Sequence, residues 1–341
     1  MKTDDGAGGP KTSAVRMAEV AQLAGVSAMT VSRAMRNPAS VTPATLSRIQ
    51  SAVASTGYVP NRIAGSLASR RTRIVGMIVP SLRNSLFAES IQGMSDNLGA
   101  AADLLIADSG YTLKGEEAAV LAFLSQRVCG IVLHNTKHTP RTRLMLQNAG
   151  IPCVETGNLV AQPIDMAVGF SNRAAAAAMT AHLFGRGYRR IGFVSLATKD
   201  NDRAAERRRG YLDALAQHGL AHDPALTLEA PPGLRSGGAA LAQLVETAGA
   251  DAAFLSGDVL ATGALLEAHR RGWAVPGRVA IAGSDDSELQ ETVIPPLTTI
   301  RFPRYEIGRR AAGLLLDRLE GRASGRIVVD LGFEIIQRAS A

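Results

Sequence analysis

From Ile74 onward the chain alternates short apolar runs with amphipathic stretches, a pattern that restricts it to parallel sheets covered by helices. Strands are expected at 74–79, 103–107, 130–133, 152–155, 166–169, 190–195, 226–228, 252–256, 279–282 and 297–300. Helical periodicity fits 87–98, 115–126, 140–148, 172–185, 203–218, 235–247, 259–271 and 304–319. That length suits two lobes better than one, with the chain returning to the first lobe near Pro295-Pro296. No stretch of about 18 consecutive apolar residues is present, and Met1–Pro10 lacks the apolar core of a signal peptide. A cytoplasmic protein with no membrane partner is expected. Cys129 and Cys153 sit in apolar strand runs and are expected to be buried thiols.

Charge is distributed unevenly. Residues 1–73 carry ten Lys/Arg against three acids, Asp4, Asp5 and Glu19. Subtracting these from chain totals of 37 and 30 leaves 27 of each sign over the remainder. The net charge of +7 thus belongs to one N-terminal module, which expects a polyanion as partner.

Within that module, residues 1–15 are polar, Gly-rich and aperiodic, and a disordered tail is expected. Met17, Val20, Ala21 and Ala24 then share one helical face, and Gly25 ends the helix in a tight turn. Ser27 can cap a second helix, with Val31, Ala34 and Met35 inward, stopped by Asn37-Pro38. Thr42-Pro43 starts a third helix, closed by Gly57, with Leu46, Ile49 and Val53 inward and Gln50 near the inner edge. Three short helices, the first two joined through Gly25, make a helix-turn-helix. The second helix then presents Ala28, Met29, Thr30 and Arg33 at the end that would enter the major groove of duplex DNA. Arg33 can donate two hydrogen bonds to guanine, Thr30 can bond a base or phosphate, and Ala28 and Met29 can touch a thymine methyl. Ser27 and the N–H groups at the helix start suit a phosphate. The bland counterpart is a three-helix bundle that binds protein.

Residues 59–73 read VPNRIAGSLASRRTR. Asn61 can cap a short helix over 62–69, too short to persist alone in water. Such a helix could order when two copies pack in the minor groove with Leu67 as a wedge between base steps, or the stretch could be a plain linker.

In the body, ligands are expected at the carboxyl ends of the strands. Those ends carry Ser81, Asn84, Tyr111, His134, Glu155, Phe170, Asp258 and Asp285. Carboxylates, a basic group and an aromatic suit a polyhydroxylated small molecule. One of the run Arg207–Arg209 could clamp a carboxylate in a bidentate fork, or the run is a solvated face. Asp285-Asp286 could bind Mg²⁺, accept ligand hydroxyls or cap a helix. His134 and His138 lie four apart in a loop reading HNTKHTP, weak support for a metal. No GxSxG, GxxxxGK[ST] or HExxH signature occurs. No enzyme activity, cofactor or metal is expected.

The stretch 17–71, with its AxxAGVSxxTVSR core, GYxPN segment and leucine-bearing hinge, closely resembles the LacI family of bacterial repressors. The body resembles the same family's periplasmic-binding-protein fold, so the resemblance spans about 16–338. The stretches PSLRNSLFAE (80–89), KHTPRT (137–142), DMAVGFSN (165–172), Arg207–Tyr211 and VAIAGSDD (279–286) resemble its gluconate-repressor branch. The resemblance implies a homodimer on a pseudopalindromic operator, controlled by a sugar-acid effector. It places Ala28, Met29 and Arg33 on base-reading positions and Leu67 on the minor-groove leucine. It also places Asn84, Phe87, Phe170, Arg207 and Asp285 on effector-contacting positions, with Glu155 as a further hydroxyl partner. Arg207 would hold the carboxylate, Asp285 would accept hydroxyls and Phe170 would stack on the apolar face of the ligand. One departure is Gly257, where the family usually has Asn before the Asp; it leaves open 2-ketogluconate or a phosphorylated acid.

The expected fold is an N-terminal all-α helix-turn-helix head with a hinge helix, followed by an α/β two-lobe periplasmic-binding-protein-like body. Its expected divisions are a tail (1–15), the head (16–60), hinge helix and linker (61–73) and an effector-binding and dimerisation domain (74–341). Lobe one would take 74–162 and 295–325, and lobe two 163–294 and 326–341. The C-terminal tail has no leucine heptads, so a dimer is expected rather than a tetramer. The expected function is a repressor with gluconate as inducer. The alternatives are 2-ketogluconate, a phosphorylated sugar acid or a neutral sugar as effector and, more remotely, a sugar-binding or sugar-processing protein with an unrelated basic extension.

Overall fold

The computed structural model describes residues 15–58, 72–83 and 85–341. The expected tail up to residue 14, the hinge segment with Asn61 and Leu67, and Asn84 lie outside the described residues.

The head is built from α1 (Met17–Ala24), α2 (Ala28–Arg36) and α3 (Pro43–Thr56). Gly25 adopts the left-handed conformation at φ 63°, and its N–H returns to the carbonyls of Ala21 and Gln22. The Ser27 hydroxyl accepts from the Thr30 N–H at 3.1 Å, capping α2, and Thr42 caps α3 in the same way. Val20, Ala21, Ala24, Val31, Ala34, Ile49, Ala52 and Tyr58 fill the core between the three helices. Gln50 is exposed, outside the inner edge of α3 where periodicity set it. The small side chains of Ala21 and Ala24 bring α1 close to its neighbours, so a core of few residues suffices.

The body opens with β1 (Ile74–Val79), α4 (Ala88–Leu98), β2 (Asp103–Asp108), α5 (Leu113–Ser125), β3 (Gly130–Leu133), α6 (Pro140–Ala149), β4 (Cys153–Thr156) and β5 (Met166–Gly169). It continues with α7 (Asn172–Gly185), β6 (Ile191–Ser195), α8 (Asp202–Gln217), β7 (Thr227–Glu229), α9 (Leu234–Glu246), β8 (Ala252–Leu255), α10 (Asp258–Arg270) and β9 (Ala280–Ala282). The last elements are α11 (Glu288–Thr292), β10 (Thr299–Arg301), α12 (Arg304–Leu319), β11 (Ile327–Asp330) and β12 (Glu334–Ile336).

One sheet has the order β11-β5-β4-β3-β1-β2, and every pairing in it is parallel. A second sheet, β7-β6-β8-β9, is also parallel, and a parallel bridge from Ala282 to Thr298 extends its edge. β10 and β12 form a separate antiparallel ribbon. The chain therefore passes between lobes three times, after β5, after β10 and between β11 and β12.

These crossings correct the expected lobe boundaries. β5 and β11 pair within the first sheet, although 163 onward and 326 onward were assigned to lobe two. The segment around Thr298 joins the second sheet, although 295 onward was assigned to lobe one. Hydrophobic pattern marks where a strand is; it carries no mark of which neighbour the strand pairs with. β11, β12 and α11 were not expected at all. The apolar run of β11 is only Ile327–Val329, in half-buried or exposed positions, and β12 is the short stretch Glu334–Ile336, so neither gives a long buried apolar run.

Cores lie on both faces of the sheets. Cys129 and Cys153 are buried. Glycine sets the closest helix contacts. A Cβ on Gly308 of α12 would stand 1.9 Å from the Ser90 carbonyl oxygen of α4, and one on Gly93 of α4 would stand 2.1 Å from the Tyr305 oxygen of α12. A Cβ on Gly237 of α9 would stand 2.1 Å from the Leu260 carbonyl oxygen of α10, and one on Gly263 of α10 would stand 2.0 Å from that of Leu234. A Cβ on Gly210 of α8 would stand 2.0 Å from the Arg173 carbonyl oxygen of α7. Backbone stands against backbone at each crossing, leaving no flexible side chain to yield. Gly308→Ala will therefore force α4 and α12 apart and destabilise the body by about 1–3 kcal/mol, read as a lower denaturation midpoint in urea. An unchanged midpoint would show that the helix pair can shift without cost.

Candidate functional site

The head offers an exposed reading surface on α2. Met29 is 81% exposed, an unusual position for a large apolar side chain, and Ala28 and Arg33 are exposed beside it. Thr30 is half-buried, and its hydroxyl lies 2.9 Å from that of Ser27. Ser27 and Thr30 thus cap the helix they were expected to place against DNA, while Arg33 extends from the same helix one turn further along. A phosphate at the start of α2 would meet backbone N–H groups and the positive end of the helix.

In the body, the loops at the carboxyl ends of both sheets enclose a cavity of about 310 Å³. Phe87, Tyr111 and His134 come from the first lobe, Arg203, Arg207, Asp258 and Asp285 from the second, and Phe170, Phe302 and Arg304 from the crossings. Four of the expected effector residues, Phe87, Phe170, Arg207 and Asp285, line this one space.

Glu155 does not, and this is a correction. Its side chain is fully buried in lobe one, where one oxygen accepts from His138 Nε2 at 3.0 Å and the other from the Ile164 N–H. The second ring nitrogen of His138 bonds Glu116 at 2.6 Å. Burial opposes charge on that imidazole, but the hydrogen bonds from Glu116 and Glu155 prevail and hold its pKa up at about 9. The triad fastens the loop between β3 and α6 to the lobe interior. The two histidines of that loop therefore do different work, and among the described residues no group of three or more His, Cys, Asp or Glu side chains is arranged to hold a metal ion.

The arginine run is resolved by burial. Arg207 is 9% exposed and lines the cavity, while Arg208 and Arg209 turn outward toward Glu229 and Glu206. Arg207 Nε donates to Asn172 Oδ1 at 2.7 Å, and Nη1 donates to the Ser256 carbonyl at 3.2 Å. Its guanidinium also lies over the Phe302 ring, 5.3 Å from the centroid. Burial lowers its pKa from the usual arginine value, and the carboxylate of Asp285 opposes that shift. Phe302 in turn stacks on Phe170, with centroids 3.9 Å apart and rings 9° from parallel.

The acidic pair divides its roles. Asp285 accepts from the Asp258 N–H at 3.3 Å and the Ser284 hydroxyl at 3.1 Å, and its carbonyl accepts from Arg304. Asp286 is held by Arg301 and Arg338 and braces the loop instead. Both aspartates have positive φ, 88° and 49°, so this turn is strained backbone at the cavity wall. Burial first, then the neighbouring Asp285 carboxylate, raises the Asp258 pKa to about 6.

His134 packs edge-on against Phe87, centroids 4.9 Å apart. The Thr156 hydroxyl donates to the Leu133 carbonyl, so it accepts from His134 Nδ1–H at 3.1 Å, leaving Nε2 as an acceptor. Burial and the charges of Arg203 and Arg207 lower the His134 pKa and keep the ring neutral. Gly157, at φ 85°, makes room for this ring, since a Cβ there would stand 2.7 Å from Nε2.

Sequence reasoning missed Arg203, Phe302 and Arg304. A signal for Arg203 was present, because it precedes Arg207 by four residues on a helix and so shares its face. Phe302 and Arg304 sit one to three residues beyond β10, in a crossing that pattern does not reveal. Gly257 precedes α10 without capping it, and its position beside the cavity is open, with only Leu260 at 4.0 Å from a built Cβ.

A helix-turn-helix head and a two-lobed body with a polar cleft define a DNA-binding transcriptional regulator governed by a small ligand. Residues 16–61 match the family described as bacterial regulatory proteins, lacI family, and residues 180–341 match the periplasmic binding protein-like domain. The chain is 35% identical to the HTH-type transcriptional regulator IdnR of Escherichia coli over 94% of its length and 97% of the relative's. It is 36% identical to the HTH-type transcriptional regulator GntR of Pseudomonas aeruginosa, over 94% of each chain. A crystal structure of a LacI-family transcriptional regulator from Silicibacter pomeroyi superposes with a TM-score of 0.89 at 33% identity, covering 96% of this chain and 99% of that one. The chain belongs to the LacI family of bacterial transcriptional regulators.

The clamped His138 carries a pH dependence. Its folded pKa lies above the ordinary histidine value, so its contribution to stability is full below about pH 6.5 and is lost as pH rises through about 9. Urea unfolding at pH 6.5 and 9.5 will show a larger loss of stability at high pH for the wild type than for His138→Gln. Equal losses would remove the charged triad from the account.

Proposed function

We propose that the protein is a repressor that binds a pseudopalindromic operator as a homodimer through α2, and that a sugar acid, gluconate in the first place, releases it. The observation that carries the effector reading is Arg207. A buried guanidinium lines the cavity wall in company with Asp285, so one wall presents both a carboxylate receptor and a hydroxyl acceptor. A polyhydroxy acid has that pair of groups. The cavity volume falls at the lower end of small-molecule sites. Arg207 would hold the acid, Asp285 and Asp258 would accept hydrogen bonds from its hydroxyls, and Phe170 and Phe302 would form an apolar floor. The resemblance of 80–89, 137–142, 165–172, 207–211 and 279–286 to the gluconate-repressor branch supports the same choice. The open position beside Gly257 keeps room for the keto or phosphorylated acid.

On the DNA side, Arg33 is the base reader, with Ala28 and Met29 against thymine methyls and Ser27 and Thr30 near the phosphates. Asn61 and Leu67, with Asn84 for the effector, are proposed on the family pattern alone. Work on operator DNA would place the protein in the cytoplasm.

The mechanism is mechanical. A ligand reverses a balance of two lobe orientations only by favouring one of them, and turning 1:99 into 99:1 takes about 5.5 kcal/mol of differential binding. A ligand that bridges the lobes acts on that balance directly.

The test is a mobility-shift titration on an operator selected from a random library, with gluconate as the probe. Arg33→Ala will weaken binding to the selected operator about 5- to 150-fold and relax the preference at one base pair, the loss of about 1–3 kcal/mol expected for a bidentate guanine contact. Arg207→Ala will raise the gluconate concentration that releases DNA at least tenfold. Release of the Arg207→Ala variant at the wild-type concentration would overturn the effector reading. Absence of any sequence preference in the wild type would overturn the whole.

A further inference from the structure

Arg207 is not the only cation in the cleft. Arg203 lies four residues earlier on α8, is likewise 9% exposed, and lines the same cavity. On a helix that spacing puts both side chains on one face. Two guanidiniums buried side by side repel each other, and their mutual charge opposes burial of both. Such a pair is held apart from water at a cost unless a negative group completes it.

The partners of Arg203 show where that group would go. Its Nη1 donates to the carbonyl of His134, in lobe one, and to Oδ1 of its neighbour Asp202 at 3.0 Å. Among the described residues Nε and Nη2 have no hydrogen-bond acceptor, and neither has Nη2 of Arg207. Two more buried polar atoms of the cavity lining, Ser256 Oγ and Arg304 Nε, also lack a partner. A cavity whose lining holds unpaired donors on four side chains is built for a ligand that accepts. Asp202 meanwhile takes both the N–H and the hydroxyl of Thr136, at 3.0 and 2.6 Å, and so fastens the first turn of α8 to lobe one.

We propose that Arg203 and Arg207 form a two-arginine clamp for the anionic end of the effector, and that Arg203 is the residue that links this anion to lobe one. This inference rests on the sugar-acid reading above and assigns it a second cation. One carboxylate would bridge the free edges of the two guanidiniums. Arg203 would keep its bond to the His134 carbonyl while doing so, so that the anion, α8 and the β3–α6 loop become one connected unit. A neutral polyol would fill the cavity without completing that bridge. The clamp thus selects acids over polyols by the contact that also joins the lobes.

The experiment is isothermal titration of the full chain with gluconate and with glucitol, the six-carbon polyol lacking the carboxylate. The wild type is expected to favour gluconate at least tenfold. Arg203→Gln should reduce that preference at least fivefold with less than a twofold change for glucitol, and Arg203→Lys, which keeps the charge but not the fork, should recover part of it. Thermal unfolding of both variants reports whether each is folded, and the lysine variant keeps the test available if the glutamine variant is not. Wild-type preference in either folded variant overturns the clamp, and so does an equal loss for both ligands, which marks a structural role. Inorganic phosphate is titrated in parallel. If the wild type does not discriminate gluconate from glucitol yet binds phosphate, and Arg203→Gln loses it, the sugar-acid reading fails and the anion clamp stands. Binding of neither anion by the wild type overturns both.

Discussion

A positive charge taken out of water and given only partial compensation governs this body. Arg207 is enclosed at the junction of two sheets, and its Nε and Nη1 are satisfied by Asn172 and the Ser256 carbonyl, neither of them charged. Its countercharge, Asp285, is near enough to oppose the pKa depression but makes no ion pair with it. Isolated, such a group would cost far more than a surface arginine. The surrounding fold tolerates it because helix α8, the β8–α10 turn and the strained Asp285 turn all deliver dipoles to one place. Those same elements leave one edge of the guanidinium facing a cavity. The open edge toward the cavity is thus a property of the packing, present before any ligand is named.

The cavity exists because the sheets stop there. Parallel strands place their carboxyl ends together, and each lobe contributes one such edge. Between them run three crossings, and the aromatic pair Phe170–Phe302 is made of residues from two of those crossings, the first following β5 and the second following β10. The stacked rings join the two crossings through apolar contact in one of the preferred aromatic geometries. Arg304, from the second crossing, binds the Asp285 carbonyl and Glu89, connecting the wall of the second lobe to helix α4 of the first. A floor of stacked rings with polar ties on either side therefore connects the two lobes at the crossings.

Much of this was legible in the sequence, and the reasons are local. Apolar runs such as 74–79 and 252–255 and capped, periodic helices such as 172–185 announce themselves, because burial and capping demand particular residues at particular spacings. The reading face of α2 was legible for the same reason, since Ser27 must cap and Gly25 must turn. Pairing was not legible. β5 joins a strand far along the chain, β11, and nothing in the run MAVG says so. Glu155 was misplaced for a related cause. β4 is buried on both faces, so alternation cannot tell which side of the sheet a residue faces, and the imidazole that neutralises Glu155 comes from a loop the pattern leaves unplaced. Residue pattern alone did not separate Arg207 from Arg208 and Arg209; the family resemblance singled it out, and in the structure burial does so, which depends on where α8 lies against its neighbours.

Rigidity within each lobe makes the joint useful. Helices that meet backbone to backbone at Gly93, Gly308, Gly210, Gly237 and Gly263 cannot slide by degrees, because any shift drives a carbonyl into a neighbouring chain. Each lobe therefore moves as a unit, and a change at the cleft is carried through α4 and α12 or α7 and α8 without being absorbed on the way. The Asp202–Thr136 contact supplies a bond between lobes that needs no ligand, and hydrogen bonds to a charged group contribute roughly 1.5–3 kcal/mol each. That magnitude is comparable to the differential binding a switch requires. Under the proposed function, a ligand that adds one more bridge would act on a pair of stiff bodies that local relaxation cannot accommodate.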